Sequence, residues 1–318
     1  MSAKTWQIAR FTNNPLITAD MLGHDGDNIN GPSVLLKPEH ISGIPGKYLC
    51  YFGHHEGQYI RLAYANALEG PWHIYPGGVL NVRDLSWHPD HVASPDVHVD
   101  KATGEIVMYF HSPTEPMVPS TDPDYLEKAR NIPQKSFLAT SRDGLHFTAN
   151  PQALGNSYFR VWEWQGRLYA LPREAKPLYV SVTGNPLDFA AYESPLACLG
   201  RDHCLRHVTL LREGDVIWVF YTRIGDAPER ILASSFRMQA NPALWELSPP
   251  EEILRPEMPW EGSDLPIVPS RFGCTLDHEN ALRDPYVFQD GENCYLFYCG
   301  DAERAIGCAR LWHGTPIQ

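Results

Sequence analysis

Positive charge is scarce in this chain. Its 26 lysines and arginines face 38 aspartates and glutamates, a net charge of −12 over 318 residues. Such a surface repels phosphate backbones and acidic bilayers, so nucleic acid and membrane are not expected as partners. The seven cysteines are scattered and contain no CxxC pair. That excludes the spacing of a zinc site and of a disulfide framework, and predicts reduced thiols in a reducing compartment. Long apolar runs are missing too. No window reaches the length of a membrane span, and Met1–Trp6 opens no stretch of signal-peptide length. The expectation is a cytoplasmic protein. Helix signals are few, and the clearest is residues 124–130, inside a Pro-rich insertion from 112 to 133.

What is abundant is short β-like runs joined by Gly-containing turns. They come in fours. The first unit has runs at 30–36, 46–52, 59–65 and 70–75. The second has 94–99, 105–110, 135–141 and 145–147. The third has 158–164, 167–171, 178–182 and 187–189, and the fourth has 206–211, 216–221, 231–235 and 245–247. The fifth has only 283–288, 294–298 and 305–311. Five such units predict an all-β, five-bladed β-propeller in one domain over 1–318. Its blades fall at approximately 30–76, 94–150, 157–192, 206–248 and 283–312. The alternating N-terminal run 5–11 supplies the fifth blade's missing outer strand and covers an open sheet edge. Pro-rich residues 249–282 read as an irregular loop over one face.

In a radial array the segments leading into the innermost strands meet at one concave rim, where ligands bind. Those segments carry Asp25, Asp27, Asn28 and Asn30 in the first unit, then His91, Ser94 and Asp96 in the second. The third offers Arg160, the fourth Arg206 and His207, the fifth Asp277, His278, Glu279, Arg283 and Asp284. His54 and His55 follow the first unit's second run. Adjacent residues of a strand point apart, so one of these histidines is expected to meet substrate rather than both a metal. Trp87 and His88 precede the second unit and offer a stacking surface for a sugar ring or ordinary packing. Asp96 and Asp284, each beside a proline, either act in the site or cap their turns.

The repeats resemble those of the five-bladed β-propeller glycosidases, the superfamily of glycoside hydrolase families 32, 43 and 117, over nearly the whole chain. Gly31-Pro32-Ser33-Val34, Ser94-Pro95-Asp96-Val97 and Arg283-Asp284-Pro285 are similar to its strand starts. Gly70-Pro71-Trp72 and Ser141-Arg142-Asp143-Gly144 are similar to its outer turns. The resemblance implies a glycoside hydrolase of carbohydrate metabolism, acting on a small oligosaccharide or glycoside. It does not carry the family 43 triad across. Gly31 stands where the base Asp is expected, Arg206-His207 where the acid Glu is expected, and nothing near Tyr158-Phe159-Arg160 matches the third carboxylate. Histidine acids in proteins resembling family 117 keep His207 a candidate.

Glycoside cleavage needs a proton donor at the leaving oxygen and a carboxylate base or nucleophile. The residues expected to carry it are Asp27 as base and Glu279 or His207 as acid, with Asp96 and Asp284 tuning or holding them. Asn30, His54, His55, Trp87, His91, Arg160, Arg206 and Arg283 are expected to contact substrate. No metal or cofactor is expected, although the resemblance leaves room for a calcium ion or a water at the channel centre. The competing reading is a non-catalytic carbohydrate-binding propeller. Oligomeric state is not legible.

Overall fold

The computed structural model describes residues 6–23, 26, 28–55, 57–115, 133–199, 204–273 and 277–314. Five antiparallel sheets form a five-bladed β-propeller, each running from an inner to an outer strand in chain order. Blade one is Asn30–Leu36, Tyr48–Gly53, Tyr59–Ala65 and His73–Asn81. Blade two is Ala93–Val99, Ile106–Pro113, Gln134–Ser141 and Thr148–Asn156. Blade three is Arg160–Trp164, Arg167–Leu171, Leu178–Ser181 and Ala190–Tyr192. Blade four is Leu205–Glu213, Val216–Arg223, Ile231–Arg237 and Glu251–Leu254. Blade five is Arg283–Asp290, Asn293–Gly300 and Ala305–His313, completed by Trp6–Arg10.

The N-terminal strand closes the ring as its alternation predicts. It pairs antiparallel with Ala305–His313, from Trp6↔His313 to Arg10↔Ala309. Trp6 packs edge-on against Trp218 with centroids 5.3 Å apart, tying the closure to blade four. Arg10 Nε donates to the buried carboxylate of Glu261 at 2.8 Å.

The outer strands of three blades begin later than the apolar runs suggest. In blade two, Asp143 Oδ1 accepts the backbone N–H groups of Leu145 and His146, an Asx turn that keeps 145–147 off the ladder. In blade three, Leu187 and Phe189 pack against the core instead of pairing. In blade four, Trp245 follows a short 3-10 turn and stacks on Phe236 at 4.9 Å, so run 245–247 is a core anchor. The ladder is completed from within the stretch read as irregular loop, by Leu232↔Glu252. The expected helix at 124–130 lies outside the described residues.

Because each sheet buries both faces, the hydrophobic core is five clusters, one between every pair of neighbouring blades. The inner strands are also stitched to each other. Ser33 Oγ accepts from Val97 N at 3.0 Å, and Asp96 Oδ2 from Val161 N at 2.8 Å. Arg160 Nε donates to Val208 O at 3.0 Å, and Thr209 Oγ1 accepts from Val287 N at 3.1 Å. Asp284 Oδ2 accepts from Gly31 N at 3.2 Å, closing the fifth seam. In each seam a side chain satisfies a backbone group that a short inner strand leaves over.

Candidate functional site

The inner strands do not start cleanly. Their registers slip between Asn30 and Ser33, Ala93 and Asp96, Leu205 and Val208, and Arg283 and Tyr286. A bulge of this kind re-aims the side chain it carries. Gly31, Ser94 and Asp284 sit at these bulges with φ of 58°, 50° and 50°. At Gly31 a Cβ would stand 3.3 Å from Ser94 Cα, so a side chain there would be both tightly placed and strained by the left-handed φ.

The bulge of blade five turns Asp284 toward His207, and Asp284 Oδ1 meets His207 Nδ1. The Nε2 atom of His207 makes no hydrogen bond among the described residues. The His207 ring lies 4.7 Å from the Tyr158 ring, which stacks on His111 at 4.1 Å. His111 in turn meets His91 edge-on at 6.1 Å. Burial, then the charges of Arg160, Arg206 and Arg173, push the His207 imidazole well below its ordinary value. Burial does the same to His111, helped by His91 and His55. Both rings are neutral at pH 7, which suits proton acceptance more than donation.

Beside this mouth lies a buried ion network. Glu229, fully buried, accepts from Arg206 Nε at 2.7 Å and from Arg283 Nε at 3.1 Å. Arg283, also fully buried, reaches Glu279 at 2.5 Å and Glu303 at 3.4 Å. Glu303 further accepts from Asn28 Nδ2 at 2.7 Å and Asn30 Nδ2 at 3.4 Å, and lies 3.5 Å from His55 Nδ1. Burial would raise the Glu303 carboxyl, but His55 and Arg283 outweigh it and hold it below the ordinary carboxylate range.

The predicted residues fall into three groups. Asn30, His55, His91, Arg206, His207, Glu279, Arg283 and Asp284 are drawn together here from four blades. Asp96 and Arg160 lie deeper, in the seams. Asp96 Oδ2 takes His98 Nε2 at 2.9 Å besides Val161 N, and His98 and Arg160 hold its carboxyl low although burial alone would raise it. Arg160 spends further donors on the carbonyls of Ser94 and Pro95. Trp87 stacks on Phe137 at 4.5 Å with its indole N–H on Ser112 Oγ, so its ring is engaged in packing. His54 is half-buried, and Asp27 lies outside the described residues.

Sequence reading missed His111, Tyr158, Arg173, Glu229 and Glu303. His111, Arg173 and Glu303 share a signal. Each ends or follows the second strand of its blade, and an antiparallel hairpin brings that end back beside the start of the first strand. The pairings Ala93↔His111, Arg160↔Leu171 and Arg283↔Cys299 show it directly. Among the described residues no three His, Cys, Asp or Glu side chains are grouped to hold a metal.

The fold is a five-bladed propeller similar to those of solved glycoside hydrolases. A solved structure from the GH130 family, described as mannoside phosphorylases that include hydrolases of β-1,2 mannosidic linkages in Candida mannan, aligns with a TM-score of 0.62. It is 14% identical, covering 100% of this chain and 97% of that one. A GH43 β-xylosidase/α-arabinofuranosidase from a compost microbial metagenome, in complex with xylotriose, aligns with a TM-score of 0.60. It is 14% identical, covering 98% and 96%. An α-L-arabinofuranosidase from Lactobacillus brevis gives 0.60 at 13% identity, covering 95% and 94%. No family model matches the chain. The chain belongs to the family of the uncharacterized protein R118 of Acanthamoeba polyphaga mimivirus, to which it is 32% identical over 334 residues, 96% of this chain and 90% of that protein.

Proposed function

We propose that the chain is a glycoside hydrolase acting on a small oligosaccharide or glycoside at the channel mouth, with His207 as its acid–base group. The observation that carries this is the His207–Asp284 contact. A carboxylate on Nδ1 fixes the tautomer and leaves Nε2 to exchange a proton with substrate. Glu279, engaged by Arg283, is less available than His207 for that exchange. Asp27 remains the proposed carboxylate, one residue from Asn28, which binds Glu303 beneath the rim. A small carbohydrate accords with the acidic surface and with xylotriose in a structure of the same fold. The six described cysteines are free thiols, which accords with a cytoplasmic setting.

One observation favours a non-catalytic, sugar-binding propeller. Glu229, Glu279, Glu303 and Asp284 all have cationic or imidazole partners at the rim. A panel of aryl glycosides and short oligosaccharides, xylotriose among them, separates the readings. A hydrolase should cleave at least one, and His207→Asn should lower that turnover about a hundredfold or more without lowering the melting temperature. Full turnover in His207→Asn contradicts the assignment, and sugar binding without cleavage across the panel transfers the site to the second reading.

A further inference from the structure

Arg173 is built into the mouth, where it lines a small cavity beside His207. Its backbone N–H donates to Ser157 O at 2.9 Å, fastening the end of the second strand to the start of the first. Glu174 and Ala175, which follow it, have φ of 68° and 54°, and Tyr158 opposite has φ of 68°. Three non-glycine residues in the left-handed region, within one hairpin end, persist only where the surroundings impose them. The result is a guanidinium 4.4 Å from the centre of the Phe272 ring and 6.0 Å from that of Tyr158.

Arg206 next to it is paired with Glu229, and Arg160 is spent on backbone carbonyls. Arg173 makes no ion pair among the described residues. With Tyr158, Arg160, Pro172, Arg206 and His207 it lines a cavity of about 10 Å³, room for one water-sized group. Three arginines therefore line one small space in a chain whose net charge is −12.

We infer that Arg173 is the anchor of an oxyanion subsite, receiving a carboxylate or phosphate oxygen of the ligand. A planar guanidinium that is half-buried, has no ion pair among the described residues and lies beside two other arginines is suited to recognise such groups. The inference rests on the mouth being the ligand site and adds the ligand's charge to it. The oxygen belongs either to an acidic sugar or to free phosphate.

Isothermal titration of the full chain at fixed ionic strength with glucuronate, inorganic phosphate and glucose distinguishes these. At least one anion should bind more tightly than glucose. Arg173→Gln should weaken it about tenfold to a hundredfold, the scale of a charge-assisted hydrogen bond. Arg173→Lys, which keeps the charge and loses the fork, should fall between, and it serves should the Gln variant not fold. Binding of glucuronate alone assigns the oxygen to a sugar substituent, and binding of phosphate alone to the free ion. Absence of anion binding, or equal binding by both variants and the unaltered chain, overturns the inference. The readout is affinity and not turnover. Failure to cleave any glycoside therefore leaves it standing, and turnover lost in His207→Asn does not rescue it.

Discussion

Two neighbouring regions of the mouth hold the same residue types and use them oppositely. Under blades four and five, Arg206 and Arg283 share Glu229, and Arg283 also meets Glu279 and Glu303. Between blades three and four, Arg173 has no carboxylate partner and His207 keeps one ring nitrogen open among the described residues. The first region is saturated, so its charges hold backbone segments in place. The second is unsaturated, so its charges are left for something that enters. Pairing separates architecture from site here better than residue type or proximity to the channel does.

The largest effect should come from breaking the saturated side. Glu229→Gln leaves two buried guanidinium groups without their shared carboxylate, and should cost about 3–5 kcal/mol in denaturant unfolding. Unchanged stability would show that this network is not structural. Acidification gives the next effect. His111 and His207 are held neutral in the fold, below the ordinary 6.5. The unfolded chain therefore binds more protons below about pH 6.5, and stability should fall as pH drops from there. The slope reaches up to about 1.4 kcal/mol per pH unit for each histidine. His111→Gln should flatten it, and an unflattened slope would place the titration elsewhere. Loss of the Glu303 contribution belongs to a lower window, below its ordinary 4.5. The smallest effect should be Arg173→Gln on stability, less than about 1 kcal/mol, since it loses a cation–π contact and no ion pair. A loss as large as that of Glu229→Gln would erase the comparison.

The propeller, its fivefold count and its N-terminal closure were legible because they depend on period and alternation, which a chain displays openly. The outer strands at 145–147, 187–189 and 245–247 were not. An apolar run such as Trp245-Glu246-Leu247 reads alike whether it pairs in a ladder or plugs a core, and Asp143 and the turn before Trp245 decide the matter in three dimensions. Half of the mouth was legible from the starts of inner strands, which led to His207, Arg283 and Asp284. His111, Arg173 and Glu303 were hidden because they come from the other end of each hairpin. Glu229 carries no local signal, since its importance comes from Arg206 and Arg283, 23 and 54 residues away in sequence. Asp96 shows the converse: a carboxylate beside a proline in the right motif that serves the seam to Val161.

The most direct test of the mouth as a carbohydrate site is a crystal structure after soaking with a panel of monosaccharides, glucuronate included. The account predicts a sugar ring among His207, Tyr158 and Arg173, within hydrogen-bond distance of His207 Nε2. A sugar bound only outside this mouth, or none at concentrations that saturate other sugar-binding proteins, would contradict it.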